Sequence, residues 1–185
     1  RRLVLIGAMM VHNGYADGLI CGTWGRVDMH MHYIDQVIGK RAGASTYAAM
    51  NALLLPSHQL FIVDTHINDD PSAEQIAEYT IMAAQEMQRF GITPKAALLS
   101  HSNFGSSNHP TADKMRRALA ILHQTAPWLE VEGEMHGDLA LNATLRQALM
   151  PDNTLQGSAN LLVMPNLDAA NIAYTLLQTT SGNNI

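Results

Sequence analysis

Lys95-Ala96-Ala97-Leu98-Leu99-Ser100-His101, then Asn108-His109-Pro110-Thr111, then Glu130-Val131-Glu132-Gly133-Glu134 is the stretch on which the fold turns. The first segment is a short apolar run of strand length that ends in polar residues. The second puts a capping residue ahead of a proline, and Met115, Leu119 and Leu122 then recur at helical spacing as far as Pro127. The third reads as another strand. A strand, a long helix and a second strand make a right-handed crossover, which lays the two strands parallel with the helix on one face.

The same alternation extends in both directions. Asp69-Asp70-Pro71-Ser72-Ala73-Glu74-Gln75 is the strongest helix start in the chain, with acids at the positive helix end, a proline in the first turn and a Ser72 to Gln75 capping box; its helix runs to Phe90 and stops at Gly91. Downstream come a helix from Asp138 to Leu149, a strand from Asn160 to Met164 and an amphipathic helix from Leu167 to Gln178. Ser45 to Leu55 and Leu60 to Thr65 read as strands joined by Pro56-Ser57-His58-Gln59, too short for a crossover, so they pair antiparallel at the sheet edge. The fold class is therefore α/β, a mostly parallel three-layer sheet. Nearer the start, Leu3, Ile6, Met9 and Met10 give a helix, Gly18 to Thr23 a buried strand, and Asp28 to Gly39 a second helix. The Gly39 to Gly43 break predicts a separate lobe for residues 1–43 and a second α/β lobe for 44–185.

Composition narrows the function. Of 185 residues, 47% are apolar and 15% charged, which excludes disorder as the default state. Eleven Lys+Arg against 16 Asp+Glu give a net charge of −5, and no basic cluster exceeds Lys40-Arg41 or Arg116-Arg117, so no nucleic-acid partner is expected. Cys21 is the single cysteine, which forbids an internal disulfide and suits a reducing compartment, so a cytoplasmic location is expected. No apolar run approaches the roughly 18 residues of a membrane span, and no membrane partner is expected. The start, without an initiator Met, reads as an interior point of a longer chain.

Ligands of parallel α/β folds collect at the carboxyl ends of the strands. Four such loops are chemically dense: Cys21 to Arg26, Ser100 to Ser107, Gly133 to Asp138, and Met164 to Asp168. Arg26 is their only Lys or Arg. The Ser100 to Ser107 loop suits a phosphate cradle, or equally a network of serine turns that caps the next helix. It has neither the P-loop ending nor the dinucleotide glycine pattern. Nine histidines invite a metal, but His30 and His32 point to different helix faces and no HExxH pattern exists, so no metal site is expected. A catalytic triad lacks its Gly-x-Ser-x-Gly elbow. Glu130, Glu132 and Glu134 alternate on one strand and so share one face. The methionines sit at core spacing.

Read together, several of these segments resemble one family. Gly7-Ala8-Met9-Met10-Val11 with Ala16-Asp17-Gly18, Ser100-His101-Ser102-Asn103-Phe104-Gly105-Ser106, Glu132-Gly133-Glu134-Met135, and the run from Ala159 to Ile172 look like the phosphate acetyl/butyryltransferase family. Cys21 to Arg26, Tyr47 to Pro56, Asn68 to Ala73 and Ser158-Ala159-Asn160 most resemble the C-terminal transacetylase-like domain of bacterial NADP-dependent malic enzymes. The resemblance runs from the first helix to about Gln178.

It implies an isocitrate dehydrogenase-like, or phosphate acetyltransferase, fold that is incomplete at both ends. It also implies a regulatory and oligomerisation domain that binds acetyl-CoA, with NADP and Mg or Mn held by N-terminal domains absent from this chain, and no cofactor in the chain itself. The alternatives are a fragment of an active phosphate acetyltransferase and a purely structural module. Active transacetylases carry an Arg where His32 stands and a Lys or Arg where Phe104 stands, so the resemblance implies no catalytic residues here and a domain that is not catalytic by itself. Their Ser-Arg pair and Asp lie beyond the equivalent of Ile185. The implied effector residues are Thr23, Trp24, Arg26, His32, Ser100, Ser102, Asn103, Phe104, Gly105, Met164 and Asn166. Acyl-CoA is expected in a cleft between the two lobes, its phosphates on Arg26 and the Ser100 to Ser107 loop and its pantetheine arm along Trp24, Phe104 and Met164. The competing expectation pairs Arg26 with Asp28 or Asp138. Homo-oligomerisation is expected through the first helix and through Ile172, Leu176 and Leu177 on the last.

Overall fold

The computed structural model describes residues 2–56 and 58–181, and the chain divides into two compact units, residues 1–45 and 46–185. In the first unit, α1 (Leu3–His12) and α2 (Val27–Val37) are joined by an irregular segment. The strand expected over Gly18 to Thr23 does not form. Among the described residues of this unit no strand forms to pair with it; Leu19 instead covers Gly7 of α1, where a Cβ would meet its side chain at 2.5 Å, and Ile20 stands fully in solvent. Among the described residues of this unit only Ala8 is buried.

The second unit runs β1 (Met50–Leu54), β2 (Gln59–Val63), α3 (Ala73–Arg89), β3 (Lys95–Leu99), α4 (Pro110–Thr125), β4 (Glu130–Met135), α5 (Gly137–Leu141), α6 (Ala143–Leu149), β5 (Leu161–Val163) and α7 (Leu167–Thr180). The strands form one sheet in the order β1-β2-β5-β3-β4. β1 is antiparallel to β2 and lies at the edge, while β2, β5, β3 and β4 are mutually parallel.

Side chains alternate across this sheet. Phe61, Val63, Ala96, Leu98, Val131, Leu161 and Val163 enter one core with Ile76, Met87, Met115 and Leu122 of α3 and α4. Leu60, Ile62, Ala97, Leu162 and Met135 enter the other with Leu139, Ala140 and Ala170 of α5 and α7. Helices cover both faces, as the long crossovers require.

Local signals hold where both partners are close in sequence. Ser72 Oγ accepts from Gln75 N at 3.3 Å and Gln75 Oε1 from Ser72 N at 2.9 Å, closing the capping box. His109 caps α4 with Pro110 in its first turn. Two expectations change. The strand expected from Ser45 begins only at Met50, and side chains tie down the residues before it: Asp64 accepts from Ala49 N at 2.9 Å and Asn68 Nδ2 donates to Tyr47 O at 2.8 Å. The helix expected over Asp138 to Leu149 breaks at Asn142, whose side chain accepts from Leu145 N at 3.0 Å and starts α6 afresh. Ser57 of the β1–β2 turn lies outside the described residues. Among the described residues no helix is long and apolar enough to cross a membrane.

Candidate functional site

Parallel pairing brings the carboxyl ends of β2, β5, β3 and β4 to one edge, so the segments after Val63, Val163, Leu99 and Met135 gather there. On the outer strand β4 this edge carries Glu134. Its side chain is fully buried, and its Oε1 accepts from Ser102 Oγ at 2.5 Å, Gly105 N at 3.0 Å and Arg116 Nη1 at 3.0 Å. Burial pushes the carboxyl up, but the Ser102 hydroxyl, the backbone N–H donors and the Arg116 charge outweigh it and hold Glu134 below the usual glutamate range. Arg116 reaches back from α4 and also donates to Ser107 O at 3.0 Å.

Glu130, Glu132 and Glu134 do not share a face as expected. Leu98 pairs with Gly133 but Leu99 with Met135, so the register slips at Glu134 and turns it away from the other two. Glu132 instead accepts from Thr154 N at 2.9 Å, and Glu130 from Gln156 N at 2.5 Å. Gly133 is required at the slip: with φ +155, its Cβ would lie 2.8 Å from Leu98 O and 2.9 Å from Leu98 Cβ.

The Ser100 to Ser107 loop is a network of serine turns. Ser102 N donates to Ser100 Oγ at 3.2 Å, Asn103 N to Ser106 Oγ at 2.9 Å, Phe104 N to Glu134 O at 2.8 Å, Ser106 N to Asn103 O at 3.0 Å and Ser107 N to Ser102 Oγ at 3.0 Å. With Gly105 N on Glu134, the N–H groups of 102–107 all donate internally in this arrangement, and His101, Gly105 and Ser106 form the exposed rim. Phe104 adopts φ +48 and packs against the core under α5 and α7. His136 ties the neighbouring loop on, its N donating to Asn103 Oδ1 at 2.7 Å and its Nε2 lying 2.8 Å from His101 O.

Met164 is buried, its carbonyl accepting from Tyr79 OH at 3.4 Å. Burial, reinforced by the Asp64 charge, pushes that phenol far above its ordinary range. Asn166 caps α7, accepting from Ala169 N at 2.9 Å. In the first unit Thr23 and Trp24 are exposed, and Trp24 lines a cavity of about 190 Å³ with Leu3, Met29, His30 and Tyr33. His32 is an exposed residue of α2, edge-on to Tyr33. Arg26 forks onto Asp28, Nε to Oδ1 at 3.1 Å and Nη2 to Oδ2 at 2.8 Å.

Three residues of this edge escape the sequence reading. Asp64, buried at the end of β2, accepts from His66 N at 3.1 Å, Ile67 N at 3.3 Å and Asn68 N at 2.8 Å; an Asp just after a strand with an Asn four residues on is the signal that could have found it. Arg116 and the special place of Glu134 leave no local signal, because their contact spans 18 residues. Among the described residues no three His, Cys, Asp or Glu side chains gather as a metal site.

Comparison with known proteins adds lineage to this geometry. The family model described as "Phosphate acetyl/butaryl transferase" matches residues 1–185. The chain is 54% identical over 98% of its length to an NADP-dependent malic enzyme of Escherichia coli, of which it covers 24%. It is 53% identical over 95% of its length to an NAD-dependent malic enzyme of Rhizobium meliloti, of which it covers 23%. A solved phosphotransacetylase of Staphylococcus aureus superposes with a TM-score of 0.87 at 29% identity, covering 97% of this chain and 56% of that one. The chain thus spans about a quarter of the malic enzymes it matches.

Proposed function

The chain belongs to the phosphate acetyl/butyryl transferase family, and from that premise we propose that it is the C-terminal transacetylase-like domain of an NADP-dependent malic enzyme, which decarboxylates malate oxidatively to pyruvate. In that protein it senses acetyl-CoA and helps hold the oligomer together, and it is not catalytic by itself. Residues 1–43 belong to the first lobe of such a domain and 44–185 to the second.

The observation that carries the reading is the 54% identity across 98% of the chain to a malic enzyme, against 29% to a phosphotransacetylase of the same fold. The loop chemistry supports it. Acyl transfer between a thioester and phosphate needs cations aimed at the developing charge, yet the Ser100 to Ser107 loop carries Phe104 at its turn, and the guanidinium that reaches it, Arg116, is paired with Glu134. NADP and Mg or Mn belong to the rest of the proposed parent.

In the second unit the effector residues are Ser100, Asn103, Phe104, Gly105 and Asn166, supported from beneath by buried Ser102 and Met164. In the first they are Thr23, Trp24, Arg26 and His32. The TM-score of 0.87 to a phosphotransacetylase favours the second reading, a fragment of an active phosphate acetyltransferase. One experiment separates them. The full-length protein is titrated with acetyl-CoA while malate turnover and acetyl phosphate formation are followed. Inhibition of malate turnover without acetyl phosphate is expected, and acetyl phosphate well above background would replace the first reading by the second.

A further inference from the structure

Glu134 is fully buried, yet it is not satisfied in the way a purely stabilising carboxylate is. One oxygen takes three donors, from Ser102, Gly105 and Arg116, while the other, Oε2, is buried without a hydrogen-bond partner. Buried polar atoms are nearly always paired, and a buried ion pair adds less stability than well-packed apolar groups of the same volume. What this pair does have is reach. Through Ser102 and Gly105 it holds the middle of the Ser100 to Ser107 loop. Through Arg116, which also donates to Ser107 O at 3.0 Å, it holds the loop's end against α4. Its own backbone carbonyl accepts from Phe104 N at 2.8 Å, fixing the residue that adopts φ +48, a conformation a side chain takes only when its surroundings impose it.

We infer that Glu134 and Arg116 form one positioning clamp that sets the Ser100 to Ser107 loop in the shape that recognises an acyl-CoA. The inference rests on the acyl-CoA reading above. The two residues do not touch the ligand; they act through the loop. The two share the Arg116–Glu134 bond and hold the same loop at different points, so their effects couple, and the second removal adds less than it would alone. The clamp needs the charge of Arg116 and its Nη1, which donates to both Glu134 Oε1 and Ser107 O, not merely its stem.

The test uses the full-length protein, with acetyl-CoA affinity read by calorimetry and the 100–107 amides read by hydrogen exchange. Glu134→Gln and Arg116→Met, which keep the volume of each side chain, should each weaken acetyl-CoA about tenfold and speed exchange in the loop. The double variant should lose less affinity than the product of the two single losses, and a fully multiplicative loss would show that the two residues act independently. Arg116→Lys, which restores the charge, should recover part of the affinity, a rescue that a packing role would not show. If Glu134→Gln does not fold, the two Arg116 variants on a helix surface carry the comparison. Absence of acetyl-CoA binding by the wild-type protein would overturn both the acyl-CoA reading and the clamp. Wild-type binding that Arg116→Met leaves unchanged would overturn the clamp alone.

Discussion

In the second unit successive residues of β3 and β5 disappear into one core or the other, whereas in the first unit α1 leaves Leu3, Ile6, Met9 and Met10 exposed at 70%, 56%, 45% and 45%. Both stretches are equally apolar in sequence. The difference is in what surrounds them: a sheet with helices on both faces can bury every side of a strand, while two short helices and a loop have nothing to close over. A helix that is apolar all round belongs inside a larger core, and a unit of about 45 residues cannot build one alone. Apolar content therefore predicts burial only where the architecture supplies a second layer.

The sharpest way to break this contrast is Arg146, the one buried guanidinium among the described residues, which donates to Asn153 Oδ1 and to the carbonyls of Leu139 and Leu155 at 2.9, 2.8 and 2.8 Å. Burial lowers its pKa, though the charges of Glu132 and Glu130 partly restore it. Arg146→Ala leaves those acceptors buried and unpaired, and urea denaturation should show a loss of about 3–5 kcal/mol. A loss within about 0.5 kcal/mol would mean that the cluster relaxes to water.

Next comes a matched pair. Leu98→Ala, in the core beside α3 and α4, should lower stability by about 2–5 kcal/mol, and Ile6→Ala on the exposed side of α1 by no more than about 0.5 kcal/mol. Equal losses would show that α1 is as well covered as the sheet.

A smaller effect is confined to acid. Because the fold holds Glu134 below the usual glutamate range, the unfolded carboxyl takes up its proton first as pH falls. Its contribution is complete above the unfolded value of about 4.3 and is lost as pH drops through the folded value. The groups that face it are Arg116 from α4 and the Ser102 and Gly105 donors of the loop, with Asp113 3.5 Å from the same guanidinium. The stability gap between wild type and Glu134→Gln should therefore narrow in acid, and a gap constant from about pH 3 to 6 would contradict the assignment.

The mildest change concerns α7, where Ile172 and Leu176 are exposed at 57% and 58% while Leu177 packs inward on the core. Ile172→Ser with Leu176→Ser should leave stability within about 0.5 kcal/mol and reduce self-association in light scattering. An unchanged molar mass would remove α7 from the proposed oligomer contact.

Much of the second unit was legible because its signals are short. The Ser72–Gln75 box, the His109-Pro110 start and the alternation of β3 each involve residues no more than about four apart, where one local conformation settles the outcome. The Gly18 to Thr23 segment failed on the same reasoning: a run can have strand composition and still lack a neighbour, since pairing is a property of two segments. Of the candidate site, three of the four loops and their place at the strand ends were readable, while Cys21 to Arg26 follows no strand. The tasks of individual residues were not readable. Asn166 also caps α7 and Arg26 also forks onto Asp28, contacts that the sequence alone does not reveal for the first and offers only as an alternative for the second.

By itself the sequence determined the alternating α/β order, the helix starts, the antiparallel edge pair and the family. Only the tertiary structure decided that Glu134 leaves the face of Glu130 and Glu132, meets Ser102 across 32 positions of chain and Arg116 across 18, and leaves one oxygen bare. The reason is register. A period of two assigns faces only while strands stay in step, and the step is lost at Gly133, where the backbone of Leu98 comes too close for any side chain. That approach belongs to the pairing of two strands about 35 residues apart and is written in neither strand alone.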